Sequence, residues 1–385
     1  PKSRPHSLTI DQILLELGDA SLEPQSTRPS MAASSARPSQ TRPSSSAGAT
    51  QDLDYFVEML AGSASNAQQA VAAAQRPTTK KPRPGDAPAP VQVEKFINAQ
   101  HTLVGHKGFV FDVAVHIATS RLFTASADKT IMVWDLSTMQ CVDTLRGHTN
   151  NVYCLLIDES TNRLFSGAWD SSIRVWNLTT MKEMRCLKDH AGHVSCLRIF
   201  DGKLFSGSWD QTVKVWDLRT LKCLDTLSAV HTGTIYDVLL YNDQLFTASQ
   251  DSTIRTWSPR TFNPKDCLGE VGGGQHTDWV IALAGKGDRL FSASRDKSIK
   301  VWDLTQKNVK AIETITGHDA AVTSLLIKGS YLLSADGKGI IKIWHTETYQ
   351  CVDTINAHKM WIYRIFSVGD HIFTCSKDKS IKVWT

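Results

Sequence analysis

Between residues 95 and 385 short apolar runs alternate with turn residues, and the same succession returns again and again. RLFTASA, beginning at Arg121, and TIMVW, ending at Trp134, predict two antiparallel strands joined by a tight turn at Asp128 and Lys129. The alternation of Ile131 and Val133 with polar or exposed positions predicts a half-buried sheet. A third run follows a polar turn (CVDTL, CLDTL), and a fourth follows a Gly-His pair (VYCLLI, VTSLLI), so each unit predicts four antiparallel strands. Trp134, Trp176, Trp216, Trp257, Trp302, Trp344 and Trp384 close seven such units at spacings of 40 to 45 residues. A unit of this length cannot bury its own apolar face, so it must stack on its neighbours.

LFSGAWDSSIRVW and LFSGSWDQTVKVW are near-copies, VWD recurs at Trp134, Trp216 and Trp302, and Gly-His recurs at His106, His148 and His318. In these features the chain resembles the WD-repeat family over about residues 95 to 385. The resemblance implies an all-β fold, a seven-bladed β-propeller. The last unit stops after its third strand, and NAQHTLVGH, ahead of the first unit, aligns with QCVDTLRGH. The N-terminal edge of the domain is therefore expected to supply the missing outer strand and close the ring, leaving no open sheet edge between the last and first blades.

The same polar residue types recur with the tryptophans: His106 with Asp128, His148 with Asp170, His190 with Asp210, His231 with Asp251, His276 with Asp296, and His358 with Asp378. A buried indole N–H needs an acceptor such as a hydroxyl; the hydroxyl can donate to a histidine and the histidine to a carboxylate. Seven copies around one ring argue for structure and against a Ser-His-Asp active site. The arrangement resembles the hydrogen-bonded tetrad of the WD-repeat family. In HAGHV the register selects His190 for the tetrad and leaves His193 for the surface. The sixth unit departs: six residues before Trp344 stands Lys338, and Asp336 comes two places early. Lysine cannot accept a hydrogen bond, so His318 is expected to lack its carboxylate and blade six to be the loosest.

Composition divides the chain. Residues 1–94 are rich in Pro, Ser, Ala and Gln and carry 9 basic and 9 acidic residues, whereas all eleven tryptophans fall after them. A disordered tail is expected there, with two amphipathic segments, 7–19 and 51–62, patterned for a helix that lies in a partner's groove. The net charge of +4 then sits in the propeller, too little to imply nucleic acid as a general partner. KKPRP, from Lys80, reads as basic linker before it reads as a nuclear-import signal, so a cytoplasmic protein is expected, with the nucleus as the alternative. The chain starts at Pro1 with no signal region and no stretch long enough to span a bilayer, which suggests the C-terminal part of a longer soluble protein. Eight cysteines lack CxxC spacing and read as buried thiols in a reducing compartment, and no metal or cofactor is expected.

Three positions per unit are expected on the narrow top face that the resemblance implies for binding: the two flanking the first apolar residue of the innermost strand, and the one before the turn aspartate. They are Phe109, Phe111 and Ala127; Asn151, Tyr153 and Trp169; His193, Ser195 and Trp209; Thr234, Tyr236 and Gln250; Trp279, Ile281 and Arg295; Ala321, Thr323 and Gly337; Trp361, Tyr363 and Lys377. Trp169, Trp209, Trp279 and Trp361 are the four tryptophans outside the repeat signature, and all fall at these positions. Aromatic side chains held at a surface dominate many binding energies. The small residues of blade six leave an expected groove beside Trp361 and Trp279, flanked by Arg295 and Lys377, suited to an acidic or phosphorylated ligand. The Gly272-Gly273-Gly274 run lacks a following Lys-Ser and reads as a mobile lid.

The leading expectation is a non-catalytic scaffold or adaptor that binds a protein or peptide on this face. The alternative is a substrate-recruiting module of a larger enzyme, since the repeats also resemble C-terminal propellers of RING-finger ubiquitin ligases and of myosin heavy chain kinases. RNA binding is a third class, weakened because the reading finds only two top-face cations.

Overall fold

In a computed structural model, residues 99–228, 231–258, 267–270, 275–305 and 309–384 are described. The amphipathic segments, KKPRP and the triple-glycine run lie outside them. Among the described residues twenty-eight strands, β1 to β28 in chain order, form seven four-stranded antiparallel sheets. Blade one comprises β2 (Val110–His116), β3 (Arg121–Ser126), β4 (Thr130–Asp135) and β5 (Gln140–Arg146), strands a to d from the axis outward. The other blades repeat this order. No helix among the described residues is long and apolar enough to cross a membrane.

The sheets are buried more deeply than half. In β3 the side chains from Leu122 to Ser126 are all buried, and the b strand of every other blade shows the same run. The cause is stacking: a blade has a neighbour on each face, so alternation survives only toward the rim. Seven apolar clusters each bridge a pair of blades, as where Phe123, Ile131 and Val133 of blade one meet Val152, Leu164 and Trp176 of blade two. No blade owns a core.

The ring closes with a strand from the other end of the domain. β1 (Ala99–Val104) pairs with β28 (Ser380–Trp384), which pairs in turn with β27 (His371–Ser376) and β26 (Ile362–Val368). Leu103 stands opposite Ile381 and is 3% exposed, inside the cluster shared by blades seven and one.

All seven tetrads form. Each repeat tryptophan donates from Nε1 to a Ser or Thr hydroxyl at 2.7–3.0 Å. Each histidine Nε2 lies 2.6–2.8 Å from that hydroxyl. Each Nδ1 lies 2.6–2.9 Å from a carboxylate. Burial opposes ionisation of Asp128, yet bonds from His106, Thr130 and the Lys107 N–H outweigh it and hold the carboxyl well below the ordinary range. His190 is the tetrad histidine of blade three, as the register predicts.

Blade six overturns the expectation that His318 lacks a carboxylate. Its Nδ1 lies 2.9 Å from Asp336 Oδ2. Asp336 ends strand b, where blade one has Ser126, and its Oδ1 accepts from both Lys338 N (2.9 Å) and Ile340 N (3.0 Å). In blade one those bonds are shared between Ser126 Oγ and Asp128 Oδ1. One carboxylate thus replaces a serine and an aspartate, and it is more deeply buried than the other six. The turn continues through Gly339, at φ +83°, where a Cβ would fall 2.2 Å from the His358 carbonyl oxygen. Lys338 points outward and reaches Asp319 at 3.9 Å.

The thiols also depart in part from expectation. Cys154, Cys196 and Cys375 are buried, but Cys141 and Cys351 are exposed on outer strands, where a blade has no further strand to cover it.

Three substitutions test the closure and the altered turn. Leu103→Ala is expected to lower the unfolding free energy by about 2–4 kcal/mol in urea denaturation, because it opens a cavity at the closure; a change below about 0.5 kcal/mol, typical of a neutral surface site, would show β1 to be a frayed end. Asp336→Ala is expected to cost about 2–4 kcal/mol through three stranded donors. Lys338→Asp is expected to change stability by less than about 0.5 kcal/mol, and a clear stabilisation by it would show that His318 lacks an adequate carboxylate partner.

Candidate functional site

The tetrads fix the loops that present the top face. Each turn aspartate receives the N–H of the residue after its histidine, as Lys107 N donates to Asp128 (2.9 Å) and Thr149 N to Asp170 (2.9 Å). A second bond recurs in every blade: the residue that opens the b–c turn donates its N–H to the carbonyl of the residue before strand a. Ala127 to Phe109, Trp169 to Asn151, Trp209 to His193, Gln250 to Thr234, Arg295 to Trp279, Gly337 to Ala321 and Lys377 to Trp361 span 2.8–3.0 Å. Two of the three expected positions are therefore locked side by side.

The third is set by a bulge. In all seven blades the pairing of strands a and b slips immediately after the first residue, from Val110 to Asp112 in blade one. The extra residue stands at the mouth of the central channel: Phe111, Tyr153, Ser195, Tyr236, Ile281, Thr323 and Tyr363 all line it. Burial pushes the phenols of Tyr153, Tyr236 and Tyr363 upward. Deeper in, Arg198 meets Asp237 at 2.7 Å and Arg364 meets Asp112 at 3.5 Å. Asp112 and Asp237 also accept the N–H of Leu155 (2.8 Å) and Leu283 (3.0 Å), each in the next blade. Burial pushes the Asp112 carboxyl up against the pull of Arg364. This polar lining ties blades together.

Most of the expected aromatics meet. Phe111 lies at the centre, with ring centroids 5.0 Å from Tyr153, 4.8 Å from Tyr363, 6.1 Å from Trp169 and 6.5 Å from Phe109. His193 is stacked on Trp169 at 5.0 Å and 7°, and lies 4.7 Å from Trp209. Lys377 sits over Phe109 at 5.1 Å. A second group stands apart: Tyr236 stacks on Trp279 at 5.6 Å, and Arg295 covers Trp279 at 4.5 Å with Asp278 3.8 Å from its Nε.

Trp361 joins neither group, and the groove expected beside blade six is not open. The indole lies against Gly337, where a Cβ would come within 2.9 Å of the ring. The absent side chain makes room for a neighbour's tryptophan, so the space is filled from blade seven.

Polar satisfaction separates two kinds of tryptophan. All seven repeat indoles have an acceptor. Trp169 Nε1, Trp209 Nε1 and His193 Nδ1 are shut away from water without a hydrogen-bond partner. Burial lowers the His193 pKa against the pull of Asp170. The tetrad hydroxyls of Ser166, Ser206, Ser292 and Ser334 are 0% exposed, so none can reach a substrate.

Six basic residues of this face escaped the reading of three positions per unit. Lys107 and Lys359 follow tetrad histidines; Lys129, Lys297 and Lys379 follow turn aspartates; Lys338 sits in the altered turn. All six are exposed. For five of them the signal was present as HK and DK pairs, in units one, five and seven.

A closed ring of seven four-stranded blades, each tied by a Trp-Ser/Thr-His-Asp chain, defines a WD-repeat propeller. The family model for the WD domain, G-beta repeat, matches residues 98–135, 139–177, 181–217, 221–258, 267–303, 309–345 and 349–385, more than half of the chain, which belongs to this family. A 43-residue stretch is 51% identical to zinc finger CCCH domain-containing protein 17 of Oryza sativa subsp. japonica, covering 11% of this chain and 9% of that protein. Seventy-five residues are 31% identical to nuclear distribution protein PAC1 of Candida glabrata (15% and 16%), and 111 residues are 28% identical to kinesin-like protein KIF21A of Homo sapiens (28% and 7%). The chain spans less than a fifth of the length of each of these relatives.

Gly337→Ala is expected to displace the Trp361 indole. In fluorotryptophan NMR one resonance, assigned through Trp361→Phe, should move while the repeat tryptophans hold; an unmoved resonance would place the ring elsewhere.

Proposed function

We propose that the chain is a non-catalytic scaffold whose top face takes a protein or peptide partner, acidic or phosphorylated, in the cytoplasm or nucleus. Propellers of this family are interaction modules in general. The observation that carries the reading here is the contrast between the repeat indoles, all satisfied, and the Trp169–His193–Trp209 stack, where three ring nitrogens have no partner. The two indole N–H groups are donors only, and each unmatched buried donor costs about 1–3 kcal/mol. A partner that parts the stack and offers carbonyl or carboxylate oxygens recovers that cost, so the unmatched groups favour the bound state. Arg295 and Lys377 add positive charge beside the aromatic groups. The tail segments 7–19 and 51–62 are proposed to recruit further partners through induced helices.

Affinity capture with the wild-type chain beside a Trp209→Ala, Trp279→Ala, Trp361→Ala variant tests the face. Partners should fall about tenfold or more, with far-UV dichroism unchanged; the single variants serve if the triple variant does not fold. Partners retained equally by the folded variant would remove the top face from the proposal.

A further inference from the structure

The basic residues of the top face are confined to one side of it. In the loops between tetrad histidine and strand a, together with the b–c turns, blades five, six, seven and one carry eight Lys or Arg against six carboxylates; the same loops of blades two, three and four carry three carboxylates and no Lys or Arg. The carboxylates are mostly tetrad members already engaged by histidines. The cations are mostly unengaged: Lys338 and Arg295 have carboxylates at 3.9 and 3.8 Å, and Lys377 lies over a ring. Lys107 and Lys359 have their backbones fixed by bonds to turn aspartates, while their side chains stay exposed. Blades five, six, seven and one are consecutive around the closed ring, so these residues make a continuous arc rather than scattered charges.

The geometry of the aromatics decides what kind of polyanion fits. A single-stranded nucleic acid needs open ring faces on which bases can stack. Here the rings are packed on neighbours: Trp169 is stacked against His193 and Phe111, Trp279 carries both Tyr236 and Arg295, and Trp361 lies on Gly337. What remains unmatched is hydrogen-bonding capacity at the edges, which peptide carbonyls and phosphate oxygens can satisfy.

We infer that the arc from blade five to blade one is a binding track for an extended peptide carrying two or more phosphates or acidic clusters, whose main chain continues over the Trp169–His193–Trp209 stack. This rests on the top-face reading and adds to it the multiplicity of the anions and their place. One phosphate can meet only one or two cations, whereas the arc spreads its cations over four blades, so affinity is expected to rise with the second phosphate.

The test uses the full chain and degenerate peptide arrays bearing two phosphoserines two to six residues apart, with singly phosphorylated and unphosphorylated copies. Members that bind are then measured by fluorescence anisotropy. Doubly phosphorylated members should bind about tenfold or more tighter than their unphosphorylated copies. That gain should vanish in Lys107→Gln, Lys359→Gln, Lys379→Gln and persist in Lys182→Gln, Lys222→Gln, Arg219→Gln on the opposite face. Equal binding of all copies, no binding by any, or an equal loss in both triple variants would overturn the track, as would a twelve-residue polyuridine that binds more tightly than every phosphopeptide. Captured partners that survive the Lys variant but not the Trp variant would also overturn it, while leaving the top-face reading intact; partners indifferent to the Trp variant would sink both.

Discussion

A sheet that is apolar on both faces has no stable solitary form, and every other feature of this molecule follows from that constraint. Phe123, Phe165, Phe205, Phe246, Phe291 and Phe373 are fully buried on b strands, each between its own blade and a neighbour. The array must therefore end where it began, or leave two apolar faces and an unpaired edge in water. β1 resolves the last of these by crossing from the N-terminal side to pair with β28. A closed ring then brings seven sets of loops to one face at fixed spacing, which an open stack would not do.

The hydrogen-bonded tetrads divide labour between constant and variable positions. By anchoring the histidine and the turn aspartate of each blade, they free the residues beside them from any structural duty. Those residues differ from blade to blade: aromatic in blades two and three, basic in blades seven and one, small in blade six. Blade six shows that the constraint is a point in space and not a place in the chain. Asp336 reaches His318 from the end of strand b while the turn keeps the backbone course of the other blades, with Gly339 in the left-handed region where they have Lys129, Ser171, Gln211, Ser252, Lys297 and Lys379.

Much of this was legible in the sequence. The period identified the blades, the aligned NAQHTLVGH segment identified the closing strand, and a four-residue offset separated His190 from His193. The misses share a physical origin: counting along the chain substitutes for measuring between atoms. Counting from Trp344 landed on Lys338 and passed over Asp336, although an imidazole requires only an oxygen within reach. Gly337 read as empty space, but space on a packed surface is taken by the nearest large side chain, here Trp361. The lysines after His106, His358, Asp128, Asp296 and Asp378 stand outside the three positions per unit because each follows a residue of the structural tetrad. Burial of strand b on both faces could not be seen in one unit, because it comes from the units on either side.

The aromatic and basic halves of the top face make different demands on a partner. Salt screens exposed lysines, so the arc contributes chiefly to attraction and to the choice of an anionic ligand. The stack of Trp169, His193 and Trp209 is shielded and unsatisfied, so its contribution is short-ranged and persists at high salt. A ligand that engaged only the arc would bind weakly and dissociate quickly. One that engaged only the stack would have to part packed rings with nothing to hold it meanwhile. A partner that first lodges its charges on blades five to one and then reaches the aromatic side uses each half where it is effective, because the closed ring holds both around a single mouth.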